Sequence, residues 1–185
     1  MLTRREGIQM NGLEQLVENF VLSLPCRDQS PFPEPEVSAP NKAYAQMLLD
    51  AFADGSSAEL TAITQYIHHH LTIKDDPYAA ELELCISLVE MQHLEVIGEL
   101  IEKLGGELRY WRANRGYWQG SEVGYGETTA QKLRLDVFSE EAAIAAYQML
   151  IQEIQDPKIQ AVLMRIVRDE QVHLRLFMEA LSRYS

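Results

Sequence analysis

The sequence predicts an all-α protein, an antiparallel four-helix bundle with one long crossover between its second and third long helices, on three observations. Four runs of helical hydrophobic periodicity are bounded by capping and stop signals. Two of the turns joining them are short, whereas the third connection extends from Gly105 to Glu127. The two helical hairpins defined in this way repeat each other in polar as well as apolar positions, and no strand pattern is found in the rest of the chain.

Taken in order, Leu13, Leu16, Val17, Phe20 and Val21 recur at helical spacing and predict a short amphipathic N-terminal helix. Five of the seven prolines then fall at Pro25, Pro31, Pro33, Pro35 and Pro40, where an extended arm poor in hydrogen bonds is expected. Residues 1–40 are therefore set apart as helix and arm, and 41–185 as the bundle. A role for the arm in clasping a neighbouring subunit is the expectation. Asn41 caps a short helix to Asp54, and Gly55-Ser56-Ser57 breaks it.

The first long helix is placed from about Ser57 to Lys74. Asp76-Pro77 pairs an N-cap with proline at the first helical position, opening a second helix that Gly105-Gly106 stops. Thr128 or Thr129 caps the third, which ends near Gln155, and Asp156-Pro157 repeats the cap-plus-proline signal before the fourth. A helix of about 26 residues is about 39 Å long, a distance that about 12 extended residues span, so the crossover can run the full length of the bundle. Two hairpins joined in this way form the ferritin-like arrangement among four-helix bundles.

Composition narrows the function. At 185 residues the chain fits one domain, and a net charge of −12 repels phosphate backbones and anionic membranes, so neither nucleic acid nor membrane is an expected partner. Two cysteines, Cys26 and Cys85, without a C-x-x-C pair, are read as excluding a disulfide framework, a zinc knuckle and an iron–sulfur site. A reducing cytosol follows, with Cys85 a small buried apolar residue. Arg4 and Arg5 precede a mildly apolar stretch, but Glu14 and Glu18 interrupt it, so no export signal is read.

The chemistry lies in paired motifs. Glu90-Met91-Gln92-His93 and Glu170-Gln171-Val172-His173 each place a carboxylate and an imidazole one turn apart on an otherwise apolar face. The other two helices carry Glu59-x-x-Ala62-Ile63-x-x-Tyr66 and Glu140-x-x-Ala143-Ile144-x-x-Tyr147. The register selects Glu140 over Glu141, because 31 residues separate Glu59 from Glu90 and 30 separate Glu140 from Glu170. With 20 Glu and 5 His in the chain, chance supplies about half of one Glu-x-x-His pair. Two such pairs in matched register predict a metal site.

Glu59, Glu90, His93, Glu140, Glu170 and His173 are the donor set for a carboxylate-bridged pair of metal ions in a bundle core. Oxygen donors with one nitrogen per ion suit two Mn or Fe ions better than zinc or magnesium. Tyr66 and Tyr147 lie two turns from Glu59 and Glu140 and are candidates to hydrogen-bond a ligand carboxylate across the bundle, with core filling as the alternative. His68-His69-His70 point about 100° apart and cannot share one close site; the expectation is a solvated face, with His70 the member that faces inward if any does. The crossover aromatics, Tyr110, Trp111, Tyr117, Trp118 and Tyr125, are expected to pack over the bundle.

These residues resemble the ferritin-like superfamily, and within it the rubrerythrins and the manganese catalases, including short catalase-like proteins of spore coats. The resemblance spans Asn41 to Leu181. Leu48-Leu49-Asp50-Ala51-Phe52-Ala53 is similar to rubrerythrins. Glu59-Leu60 to Gln65-Tyr66, Glu90 to Val96, and Asp156-Pro157 through Glu170 and His173 to Leu181 are similar to the manganese catalases.

The resemblance implies a dinuclear Mn or Fe oxidoreductase acting on hydrogen peroxide. Glu170 would be either a ligand or a proton-transfer base, beside His173 as ligand, and Glu170, Tyr66 and Tyr147 are the candidate catalytic residues. Rubrerythrin-like peroxide reduction needs an external electron donor, since two scattered cysteines cannot build a rubredoxin module and Ala143 stands where rubrerythrins tend to carry a further Glu. Catalase-like dismutation needs none. Ferroxidase chemistry, with dioxygen as substrate, and a purely structural metal-stabilised bundle are the alternatives. A cytoplasmic homo-oligomer is expected.

Overall fold

The computed structural model describes residues 12–55, 57–112 and 116–184. Its helices are α1 (Gly12–Leu22), α2 (Lys42–Ala53), α3 (Glu59–Thr72), α4 (Pro77–Lys103), α5 (Thr129–Glu153) and α6 (Pro157–Leu181). The α3–α4 and α5–α6 hairpins pack together as the ferritin-like four-helix bundle, and α2 lies against α3, α4 and α5. The crossover carries a two-stranded antiparallel ladder, β1 (Trp111–Arg112) on β2 (Gly116–Tyr117). No helix of the described residues is long and apolar enough to cross a membrane. Arg4, Arg5 and Ser56, which figure in the sequence reading, lie outside the described residues.

Local chemistry sets most helix ends. The Asn41 side chain accepts from the amides of Ala43 and Tyr44, Asp76 from Ala79 and Asp156 from Lys158. Thr128 and Gln131 form a reciprocal capping box at the start of α5. At the end of α4, Gly105 adopts a φ of 81°. The amides of Gly105 and Gly106 bond the carbonyls of Glu102 and Ile101, a pattern that needs the left-handed residue only glycine accepts without strain. Helix α3 differs: it opens on Ala58 with no side-chain cap, placing Glu59 at the first helical position.

The core is divided. One apolar cluster gathers Leu48, Phe52, Ile97, Leu100, Ile101, Ile159, Val162, Leu163 and Ile166, and a second gathers Ile73, Leu82, Ile86, Val89, Leu133 and Phe177. On α4 and α6 the residues between the two clusters are the Glu-x-x-His segments, so a polar layer is held between two greasy ones.

The arm lies on its own bundle. Arg27 Nη1 donates to Gln92 Oε1 at 2.9 Å, the Asp28 amide to Asp169 at 2.7 Å and the Ser38 amide to Asp156 at 2.7 Å. The expectation for the cysteines is corrected here: Cys26 and Cys85, 59 residues apart, are joined in a disulfide. No local motif announces this pairing, because it exists only once the arm has been laid against α4. Leu16, Val17 and Phe20 of α1 are exposed, so that stripe does not pack into the bundle.

Candidate metal centre

Glu59, Glu90, His93, Glu140, Glu170 and His173 are all buried, none more than 2% exposed, and the four helices bring them into one layer. Donor atoms of Glu59, Glu90, His93 and Glu170 lie within 4.8 Å of one another, as do those of Glu90, Glu140, Glu170 and His173. Glu90 and Glu170 belong to both groups. The arrangement is two overlapping half-sites, each with one imidazole, as the internal duplication requires.

Both imidazoles present Nδ1 to the carboxylates. His93 Nδ1 is 2.9 Å from Glu90 and 3.2 Å from Glu170; His173 Nδ1 is 2.8 Å from Glu90 and 3.0 Å from Glu170. Burial alone would lower both histidines, but the surrounding carboxylates outweigh it and raise them well above the ordinary value. For Glu90, burial is outweighed by His173 and His93, which hold it far below the usual carboxylate range. Glu59 and Glu140 are pushed well up, chiefly by burial and then by Glu90 and Glu170 respectively. Four carboxylates facing two imidazoles leave an excess of buried negative charge that protons or cations must balance.

The tyrosines cross the bundle. Tyr66 Oη donates to Glu140 Oε1 at 2.6 Å, and Tyr147 Oη donates to Glu59, so each hairpin's phenol holds the other hairpin's carboxylate. Burial and the adjacent carboxylates keep both phenols protonated, and the protonated phenol is the form that can donate. Beside these groups is a cavity of about 10 Å³, lined among others by Glu59, Ala62, Tyr66, Glu140, Ala143 and Glu170. That is room for about one water-sized molecule. The alanines shared by the two repeats keep it open.

The support around the two imidazoles is unequal. His93 Nε2 lies 3.1 Å from Asp169 Oδ2, and Asp169 is in turn held by Arg165 Nη1 at 2.7 Å and by the Asp28 amide. Burial opposes ionisation of Asp169, but the hydrogen bond from His93 prevails and holds it at about 2. Arg165 also donates to the carbonyls of Asp28 and Ser30 and lies 5.1 Å from the centre of the Phe32 ring. His173 Nε2, by contrast, is buried without a hydrogen-bond partner among the described residues. The duplication explains the difference: Glu90 corresponds to Glu170, so Val89 stands where the other half has Asp169.

Asp169 and Arg165 are absent from the sequence-derived site, although their four-residue spacing on a core helix was a signal for a buried ion pair. The histidine tract is corrected as well: His69 is the fully buried member, not His70, whose Nδ1 faces the Ala80 carbonyl at 2.7 Å. In the crossover, Tyr110 stacks on Phe52 with ring centres 5.7 Å apart, and Trp118 Nε1 donates to Thr61 at 3.0 Å.

No family model matches the chain. It is 24% identical over 169 residues to a probable manganese catalase of Clostridium acetobutylicum, a match covering 80% of this chain and 74% of that protein. The crystal structure of KatB, a manganese catalase from Anabaena PCC7120, is similar with a TM-score of 0.77 at 23% identity, covering 85% of this chain and 79% of that one. Bacterioferritin BfrA of Mycobacterium tuberculosis is similar with a TM-score of 0.63 at 25% identity, covering 78% and 87%.

Proposed function

We propose, for a chain whose fold belongs to the ferritin-like superfamily, that Glu59, Glu90, His93, Glu140, Glu170 and His173 hold two Mn or Fe ions and that the protein turns over hydrogen peroxide by dismutation. The observation that carries the reading is the pair of overlapping donor groups. The donor set fits the ions: the Nδ1 atoms of His93 and His173 converge on the shared carboxylates Glu90 and Glu170. Bound there, the ions would supply a reversible redox couple and Lewis acidity towards peroxide.

The chain's own residues do the rest. Tyr66 and Tyr147 hold Glu140 and Glu59 in place by hydrogen bonds across the bundle. Asp169 fixes the ring of His93 with Nδ1 turned to the carboxylates. Glu170 is shared by both donor groups and also lines the small cavity; in the alternative to ligation, its carboxylate would accept a proton from an incoming peroxide and return it to the product. Dismutation converts two peroxides to two waters and one dioxygen, so no outside reductant enters the balance.

The manganese catalase relatives support this reading, and the bacterioferritin likeness favours a second one, oxidation of Fe(II) by dioxygen at the same residues. The test is dioxygen release from peroxide by protein loaded with Mn or with Fe, alongside metal content per chain. Two ions per chain, lost when Glu90 and Glu170 become alanine, with dioxygen evolved only by the loaded form, are expected. Fully loaded protein that leaves peroxide untouched and consumes dioxygen with Fe(II) would establish the second reading instead.

A further inference from the structure

Towards the α3–α4 turn from the proposed dimetal layer lies another set of metal-ligating groups that the peroxide chemistry does not use. His69, Glu83 and Asp136 are all 0% exposed, and one donor atom from each lies within 4.8 Å of the others. His69 Nδ1 is 2.9 Å from Asp136 Oδ1 and 3.7 Å from Glu83 Oε1. Asp136 precedes Glu140 by one turn, and Glu83 precedes Glu90 by two, about 10 Å along α4.

Three features set this cluster apart from a chance gathering of acids. His69 Nε2 faces the Gly124 carbonyl at 2.7 Å. A carbonyl only accepts, so Nε2 is the ring nitrogen that donates there, and Nδ1 is the one turned to the two carboxylates. Both oxygens of Glu83 are buried with no hydrogen-bond partner among the described residues and face a second carboxyl, that of Asp136, a costly state at zero exposure unless a cation or proton lies between the groups. Finally, Gln65 braces the assembly. Its Nε2 donates to Asp136 Oδ1 at 2.9 Å, and its Oε1 accepts from the Gly124 amide at 2.8 Å, so one residue fixes a donor carboxylate and the loop that orients His69.

The duplication shows that helical-bundle packing does not demand these residues. In the repeat register, Glu83 corresponds to Leu163 and His69 to Leu150, so the other half fills the matching positions with apolar side chains.

The geometry points to a second, mononuclear cation site at His69, Glu83 and Asp136, binding a divalent first-row ion such as Mn(II) through one nitrogen and two carboxylates. Oxygen donors with one imidazole are the set such an ion takes, with water completing its shell. A divalent ion would balance the charges of Glu83 and Asp136, and Lys132, buried beside the cluster and attractive to Glu83, adds one further positive charge at its edge. This inference stands apart from the dimetal reading, because the three residues are distinct from the six above.

The test is equilibrium dialysis of the full chain against Mn(II) alone, read as metal per chain by elemental mass spectrometry. Three ions in the unaltered protein, two in Glu83→Gln and one in the Glu90→Ala, Glu170→Ala double variant are expected. A Glu83→Gln content equal to that of the unaltered protein overturns the inference while leaving the dimetal reading intact. One ion that Glu83→Gln loses and the double variant keeps supports the inference and removes the dimetal reading. Should Glu83→Gln fold poorly, an anomalous difference map at the manganese edge decides on the unaltered protein. Density joining His69 Nδ1 and both carboxylates supports the site, and its absence from crystals grown in Mn(II) overturns it.

Discussion

Tyr66 on α3 donates a 2.6 Å hydrogen bond to Glu140 on α5, and Tyr147 on α5 returns the contact to Glu59 on α3. The two repeats are thus stitched together by reciprocal phenol–carboxylate pairs in the polar layer. Replacing Tyr147 with Phe leaves Glu59 buried without its donor, and the expected cost is about 1–3 kcal/mol. Denaturant unfolding of the metal-free protein measures it. Unchanged stability would show that the phenol only fills space.

Asp169 should matter more for metal than for folding. Asp169→Asn keeps the shape but weakens the acceptor that orients His93, and loss of such an outer contact costs about 10–100-fold in metal affinity. Val89→Ala, at the position that matches Asp169 in the repeat, removes no polar contact and should leave affinity unaltered. Competitive titration of Mn(II) against a chelator separates the two outcomes, and equal affinities would refute the orienting role.

The Cys26–Cys85 bond closes a loop across 59 positions, for which chain entropy gives about 4 kcal/mol at 25 °C. Cys26→Ser, or reduction of the native protein, should lower unfolding stability by about 3–4 kcal/mol. Thiol titration of unreduced, denatured protein should find no free thiol. Two titratable thiols in protein purified under air would contradict the bond.

Asp156 caps α6 and also accepts from Ser38 of the arm, and Asp156→Ala should cost about 1 kcal/mol. Burial opposes its ionisation, but the amides of Ser38 and Lys158 outweigh it and hold the carboxyl below its ordinary value of 3.8. A folded-state value below the unfolded one means that this stabilisation is fully present above pH 3.8 and disappears as pH falls through the folded-state value. The difference in melting temperature between the native protein and the variant should therefore be widest near neutrality and narrow in acid. A gap that widened in acid would reverse the sign.

Much of this architecture was legible locally. Asp76-Pro77, Asp156-Pro157, Thr128 with Gln131 and Gly105-Gly106 set helix ends through contacts spanning a few residues. The Glu-x-x-His repeats placed a carboxylate and an imidazole on one helical face in register with a second Glu helix. Those patterns need no knowledge of helix partners, because a helix brings residues three and four apart together whatever surrounds it.

What the neighbouring chain segments contribute was not legible in the same way. Which of three consecutive histidines is buried depends on the rotation of α3 against α5, and a rotation of about 100° exchanges His69 for His70. The support of His93 by Asp169, the arm's contacts through Asp28, the gathering of His69, Glu83 and Asp136, and the Cys26–Cys85 bond all join residues far apart in sequence. By itself the sequence determined the helices, their ends and the six-residue polar layer, since each rests on short-range periodicity and capping. Only the tertiary structure decided which side chains face one another across the bundle, because those meetings depend on how helices and arm are packed.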